Sequence, residues 1–416
     1  MNSIEGKDVE QQMKMPRMEK RGLLILLGCG FLNFSLGAFY AWSVFIEPLQ
    51  GTLNASRTEV SAVFSIATVF FTLGMIFGSL LFRRIRAAVV AGGCLLVGAA
   101  GLALAAGGGS LPMVYLGYGV IFSMANAVGY SLTLQLVNTE LPDYAAVATG
   151  IVTACYALGS VVSAPVLVFA IGHIGVWNAL FGLSLFLVLA AVISSLLLIL
   201  AKTTMACPPL PPGIQAALMQ HQTFVKLWLG FALSALAGLM IISHAAGIVS
   251  AYGGAPTQIA LGAMLVNLGN ITGRFSGGWF SQHFPVRKVL TTVTALAALA
   301  LLLLAVLPSV GIALLILPVI GFVYGSNGST YPISVTIYYG KAQMAKVFGI
   351  LMTAWGLAGL TASWVAGFVF DSTGKYELAI LLAASTALIS SIISRTLPSK
   401  KFAKRPEILP LPCQQE

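Results

Sequence analysis

Apolar runs of about 20 residues, each long enough to cross the hydrocarbon of a bilayer as a helix, follow one another along almost the whole chain. They predict twelve spans, near 22–47, 57–82, 85–106, 110–139, 144–172, 175–201, 223–250, 257–284, 287–307, 309–338, 343–371 and 376–396. Polar residues gather in short turns between the runs and in one longer stretch, KTTMACPPLPPGIQAALMQHQ at 202–222, whose proline run reads as a linker. That stretch divides the chain six spans from six. The expected organisation is a tail at 1–21, a six-helix half at 22–201, the linker at 202–222, a second six-helix half at 223–396 and a tail at 397–416.

The two halves repeat at an offset of about 200 residues. GSLLFRRIR at 78–86 is set against GGWFSQHFP at 277–285, Asn126-x-x-x-Tyr130 against Asn327-x-x-x-Tyr331, and Gly150 to Tyr156 against Gly349 to Trp355. A duplicated six-span unit is the layout of secondary transporters whose substrate site lies near the midplane between the repeats. The fold expected is therefore an all-α membrane protein of twelve transmembrane helices in two pseudosymmetric six-helix halves.

Composition agrees. The chain is 58% hydrophobic and 8% charged, against about 25% charged for a soluble protein. Its net charge of +10 is spread in a way that argues against nucleic acid. With both termini on one side, 19 of the 22 basic residues fall on that side, only Arg57 and Lys375 on the other, and Arg274 alone inside a span. The positive-inside rule then predicts a multi-pass protein of the cell membrane with both termini cytoplasmic, its basic segments touching lipid headgroups. The first apolar run follows a mixed-charge tail without a cleavage-like site and reads as the first span itself. Cys29, Cys94, Cys155, Cys207 and Cys413 are scattered without CxxC or Cys/His clustering, so neither disulfide framework nor metal site is expected. No nucleotide-binding motif suggests a cofactor, and no paired groups of a hydrolytic kind, such as two Asp, Ser/His or HExxH, occur at depth. A carrier is expected rather than an enzyme or channel.

Arg274 poses the chemical question. The nearest formal charges along the chain are Lys226 and Arg287, and all twelve acids lie at span ends or in tails. A cation at the bilayer centre costs roughly 2.5–3.5 kcal/mol on insertion scales, so it is normally paired or functional. Two roles are open: satisfaction by backbone carbonyls or snorkelling to the inner surface, or reception of a carboxylate by its planar fork of donors. Asn267, Asn270 and Arg274 follow i, i+3, i+7 spacing on one helical face. Gly269, Gly273 and Gly277 form an adjacent small-residue stripe suited to close helix packing.

The sequence resembles the major facilitator superfamily over essentially its whole length. Gly278 to Leu290 is similar to that superfamily's G-x-x-x-D-R-x-G-R-R signature, with Gln282 and His283 where Asp and Arg are usual and Arg287 retained; in the first half Phe82 replaces the Asp. GAFYAWSVFIEPL in span one and the arginine of span eight resemble the oxalate/formate antiporters and the monocarboxylate transporters. The resemblance has departures. Asn270 stands where animal monocarboxylate carriers have Asp, their span-one lysine is missing, and Trp355 stands where the oxalate exchanger has a span-eleven lysine. With one cation in place of two, the implied substrate is a monocarboxylate such as lactate, pyruvate or a short fatty acid. Oxalate or formate exchange is the alternative.

His244 is the one histidine predicted inside a span. Its ordinary titration range makes it a candidate proton carrier for symport; it would equally serve as a neutral helix contact, with the proton bound by the substrate and Arg274 themselves. Tyr324, Asn327 and Tyr331 share a face of span ten, mirrored by Asn126 and Tyr130 on span four. The expected substrate-binding set is Arg274, Asn270, Tyr331, Asn327, Tyr130, Asn126 and Trp355, with Asn33, Tyr40 and Tyr156 as weaker members.

Overall fold

Glycine, proline and short polar turns cut the apolar chain into helices. A computed structural model describes residues 19–81, 85–203, 222–340 and 344–399. Helix α1 spans 20–53 in three pieces: Lys20–Leu36, a tightly wound 3₁₀ stretch Gly37–Val44, and Ile46–Leu53. Then come α2 (Arg57–Leu81), α3 (Ala87–Gly108) and α4 (Leu111–Glu140), the last wound as π-helix over Tyr115–Phe122. The long run Ala145–Leu200 changes direction at Gly175, whose φ of 81° and ψ of 164° are non-helical, so residues 145–174 form α5 and 176–200 form α6. That φ is costly for any residue with a Cβ and routine for glycine.

The second half holds α7 (Gln222–Ala251), α8 (Pro256–His283), α9 (Val286–Val306), α10 (Val310–Tyr339), α11 (Met344–Thr373) and α12 (Glu377–Arg395). Among the described residues ten helices are long and apolar enough to cross a membrane, and one of them is the bent α5–α6 run. Helix α8, diluted by Asn267, Asn270 and Arg274, completes the twelve crossings. The predicted linker lies outside the described residues from 204 to 221, as do the tails at 1–18 and 400–416. At the end of the bundle bearing the termini, Arg21 of α1 pairs with Glu140 of α4 and donates through Nε to the Ala201 carbonyl at 3.1 Å.

Small residues set the spacing between helices. The predicted glycine stripe of α8 packs against α10: a Cβ on Gly269 or Gly273 would stand 2.0 Å from the carbonyl oxygen of Pro318 or Phe322, and one on Gly277 2.6 Å from the Ser326 backbone. Helix α10 answers with Gly321 and Gly325, whose Cβ atoms would stand 1.8 and 2.1 Å from the carbonyl oxygens of Val266 and Asn270. In the first half Gly37 and Gly159 bring α1 and α5 together in the same way, at 2.0 Å from the Tyr156 oxygen and 1.9 Å from the Phe34 oxygen. The halves meet along α2 and α11, where Gly367, Gly359 and Gly356 face Ser61, Thr68 and Thr72, and also where α5 meets α8. Without side chains in the way, dispersion contacts act backbone to backbone, which is the attraction available between helices in lipid.

Two glycines on α8 separate packing from propensity. Gly273→Ala drives a methyl into the Phe322 carbonyl, whereas a Cβ at Gly278 meets nothing within 4 Å. Thermal melting in detergent should show Gly273→Ala destabilised by about 1–3 kcal/mol, the usual range for overpacking. Gly278→Ala should melt no lower than wild type. Equal melting of the two variants would mean that the α8–α10 approach does not limit stability.

Candidate functional site

Between the halves, at mid-length of the helices, Arg274 is half-buried rather than sealed. Its Nε donates to Asn270 Oδ1 at 3.0 Å, one turn earlier on the same helix. The guanidinium lies over Gly328 of α10, where a Cβ would come within 3.8 Å of Cζ. Its polar neighbours are the phenols of Tyr130 (α4), Tyr40 (α1) and Tyr324 (α10). Among the described residues the one ion pair is Arg21 with Glu140, and no carboxylate lies within ion-pair distance of Arg274. Asn270 spends its carbonyl on Arg274, and its Nδ2 is buried without a partner.

The phenols are wired to one another across the two halves. Tyr324 Oη accepts from Trp355 Nε1 at 2.7 Å and shares a bond of 3.1 Å with Tyr40 Oη. An indole N–H can only donate, so the Tyr324 oxygen is the acceptor there, and a single proton remains between the two phenols to aim elsewhere. Rings close the rest of the wall: Tyr40 meets Tyr156 at 5.6 Å, Tyr156 meets Tyr130 at 5.0 Å, and Phe71 of α2 lies 5.4 Å from Trp355 and 6.1 Å from Tyr130. The result is one cation in an aromatic chamber supplied by α1, α2, α4, α5, α8, α10 and α11. Such a chamber offers a charged fork to an anionic head and apolar faces to a short tail.

The 3₁₀ winding of α1 helps build it. At three residues per turn, Gly37, Tyr40 and Ser43 eclipse one another. Gly37 then seats the helix on α5 while Tyr40 points to Tyr156 and Tyr324.

The structure brings together Arg274, Asn270, Tyr130 and Trp355 with the weaker candidates Tyr324, Tyr40 and Tyr156, and adds Phe71. Other predicted members are placed differently. Asn126 is wholly buried and committed on both sides: Nδ2 donates to the Leu36 carbonyl at 2.8 Å and Oδ1 accepts from Tyr156 at 3.1 Å. It therefore ties α4 to α1 and α5 and holds the Tyr156 ring in position. Asn33 is committed likewise, to the Val152 carbonyl and to Thr133. Tyr331 stacks on Phe231 at 4.5 Å, with its hydroxyl beside Gly230 of α7. Asn327 is 2% exposed with both amide atoms unpaired. His244 is bonded to Tyr376 and Ser363, toward the end of the bundle away from the termini. Phe71 carried no sequence signal, since a phenylalanine in an apolar span looks like any other lipid-facing or core residue.

The profile of the Major Facilitator Superfamily matches residues 227–409. Monocarboxylate transporter 13 of Rattus norvegicus is 22% identical over 386 residues, covering 91% of this chain and 89% of its own. The oxalate:formate antiporter of Oxalobacter formigenes is 21% identical over 410 residues, covering 92% and 93%. An uncharacterized MFS-type transporter of Escherichia coli is 25% identical over 353 residues, covering 81% and 85%. Among solved structures, a bacterial homolog of the human lysosomal transporter Spinster, inward-facing and occupied, superposes with a TM-score of 0.71 at 15% identity over 91% of this chain and 97% of its own. A D-xylose-proton symporter gives 0.68 at 15% identity over 91% and 98%. The fold is that of the major facilitator superfamily, whose profile matches the second half of the chain, and the relatives are transporters, not enzymes, that fit its monocarboxylate and oxalate–formate group.

Proposed function

We propose that the chain is a secondary carrier of small monocarboxylates such as L-lactate or pyruvate, moved together with a proton by alternating access. The observation that carries this reading is Arg274: a guanidinium held by Asn270, half-buried among phenols from both halves and unpaired with any carboxylate among the described residues. A carboxylate accepts two parallel N–H bonds from such a fork. In a chamber of low dielectric that pairing satisfies a cation whose burial is otherwise costly. Tyr130, Tyr324 and Tyr40 sit where a hydroxyl or keto oxygen beside the carboxylate would meet a phenol, and Phe71, Tyr156 and Trp355 face the apolar remainder. Two relatives named for monocarboxylate transport support the substrate class.

One cation matched by one carboxylate leaves the loaded site close to neutral, so a single anion crosses without a net charge in the chamber. A proton travelling with it makes the whole cycle electroneutral, and direction follows the combined anion and proton gradients. The charge distribution supports an orientation with both termini in the cytoplasm, which makes the end bearing Arg57 and Asp371 the outer one. Anion exchange of the oxalate:formate type is the second reading, favoured by the relative of that name. Against it stands Trp355, a neutral indole bonded to Tyr324 on the helix where a second cation would be required.

Proteoliposomes containing the purified protein give the test. Labelled L-lactate should accumulate saturably when the donor side is acidified, and Arg274→Ala should abolish that uptake while the protein still melts cooperatively. Uptake only against preloaded lactate, formate or oxalate would select the exchanger, and undiminished saturable uptake by Arg274→Ala would leave the arginine a scaffold. Trp355→Lys places a second cation beside Tyr324. It should let oxalate compete with lactate at least about tenfold better, the factor equivalent to 1.4 kcal/mol; unchanged competition would remove the charge-counting argument for a monocarboxylate.

A further inference from the structure

Away from the termini the two halves are joined by a bonded cluster that shares no residue with the chamber. Asp371, at the end of α11, caps a helix of the other half. Its Oδ1 accepts from the Arg57 backbone N–H at 3.0 Å, and its Oδ2 accepts from the Thr58 N–H at 2.6 Å and from the Thr58 hydroxyl. These are free N–H groups of the first turn of α2, where helix geometry favours an anion. Arg57 itself is 5% exposed. It donates through Nε to Gln50 of α1 at 2.7 Å and through a terminal nitrogen to Tyr376 Oη at 2.9 Å, and its guanidinium lies 4.1 Å from the Phe370 ring centre. The Tyr376 hydroxyl in turn lies 2.9 Å from His244 Nδ1, and His244 Nε2 lies 3.0 Å from the Ser363 carbonyl oxygen.

The proton positions in this chain are determined by chemistry. The Ser363 carbonyl can only accept, so His244 Nε2 carries a hydrogen. Arg57 can only donate, so the Tyr376 oxygen accepts from it and turns its own hydrogen toward His244 Nδ1. His244 is thereby held neutral, with Nδ1 as acceptor, in a site where it has no exposed surface. A proton on Nδ1 would set N–H against O–H, turn the Tyr376 hydrogen away from His244 and place a second cation near Arg57. The charged groups that face the cluster are Arg57 from α2, Asp371 from α11 and Glu47 from α1. Asp371 is already committed to the α2 terminus, and Glu377 faces Tyr252.

We propose that His244 is the proton sensor of this latch: the latch closes on neutral His244, and protonation of His244 releases Arg57 and Tyr376 so that α2 and α11 part. The sign follows from linkage. The closed form excludes a proton that the open form accepts, so acid favours opening, by at most about tenfold per pH unit for one proton. The use of the latch rests on the proton-coupled reading above: acid on the outer side opens the site toward the compartment from which anion and proton are both taken.

Spin labels on Gly51→Cys and Ser372→Cys, in the full chain with its five native cysteines replaced by serine, would report the distance across the latch in nanodiscs without substrate. Gly51 has open space at its Cβ, and both positions are exposed. Electron–electron distance distributions should show a longer population that grows several-fold as pH falls from 7.5 to 5.5. His244→Gln should make that population independent of pH. Tyr376→Phe, which leaves the histidine in place, should raise it already at pH 7.5. A single short distance at every pH, or an undiminished pH response in His244→Gln, would overturn the proposal. Because no anion is present, this outcome is separate from the fate of the lactate assay.

Discussion

The approach of α8 to α10 is the constraint on which the chamber depends. A guanidinium on a helix in mid-membrane reaches a central site only if its helix lies close enough to its neighbour that no side chain intervenes. Gly321, Gly325 and Gly328 remove those side chains from α10, and Gly269, Gly273 and Gly277 remove them from α8. Arg274 can therefore lie over Gly328 while Asn270 turns its carbonyl back to it. On α1 and α5, Gly37 and Gly159 do the corresponding work for Tyr40 and Tyr156. Contact geometry of this kind fixes positions without using polar groups. That leaves the few polar groups of the core free for other partners.

Much of this was legible in the sequence, because lipid imposes two plain rules: about 20 apolar residues per crossing and no unexplained charge between them. Those rules locate the spans and single out Arg274. The glycine stripe of α8 was legible too, being a repeat of residue size at helical spacing. What sequence could not rank was the surplus of polar residues on α4 and α10. Asn126 and Asn327 look equivalent in the repeat, yet one is fully bonded to Leu36 and Tyr156 and the other has neither amide atom paired. Likewise Tyr324 and Tyr331 share a predicted face, but only Tyr324 reaches the chamber, while Tyr331 lies on Phe231. Which hydroxyl finds a partner is decided by helices distant in sequence, and a single chain read by periodicity carries no record of that.

The latch was missed for a related reason. Arg57, Asp371 and Glu47 stand at span ends, where charges are expected from topology alone, and nothing in their spacing distinguishes an exposed end from a cross-half cap. The structure separates them by burial and bonding: Arg57 is 5% exposed although it belongs to the first turn of its helix. A basic residue so enclosed at a helix end is held by its partners, and every one of those partners other than Gln50 belongs to the opposite half.

In the proposed carrier, substrate charge and access are assigned to different groups. The chamber holds a single permanent cation, which cannot titrate in the physiological range, so its attraction for a carboxylate does not vary with pH. His244, which can titrate, is bonded into the latch and touches none of the chamber residues through its ring nitrogens. A carrier built this way need not change its affinity for the anion in order to respond to protons; it changes which side the anion can reach. Coupling then requires only that Arg57 and Tyr376 hold the halves less firmly when His244 is charged, a local rearrangement of three side chains. The close packing of α11 glycines on Ser61, Thr68 and Thr72 of α2 would carry that rearrangement along the seam toward Trp355 and Phe71, where the chamber begins.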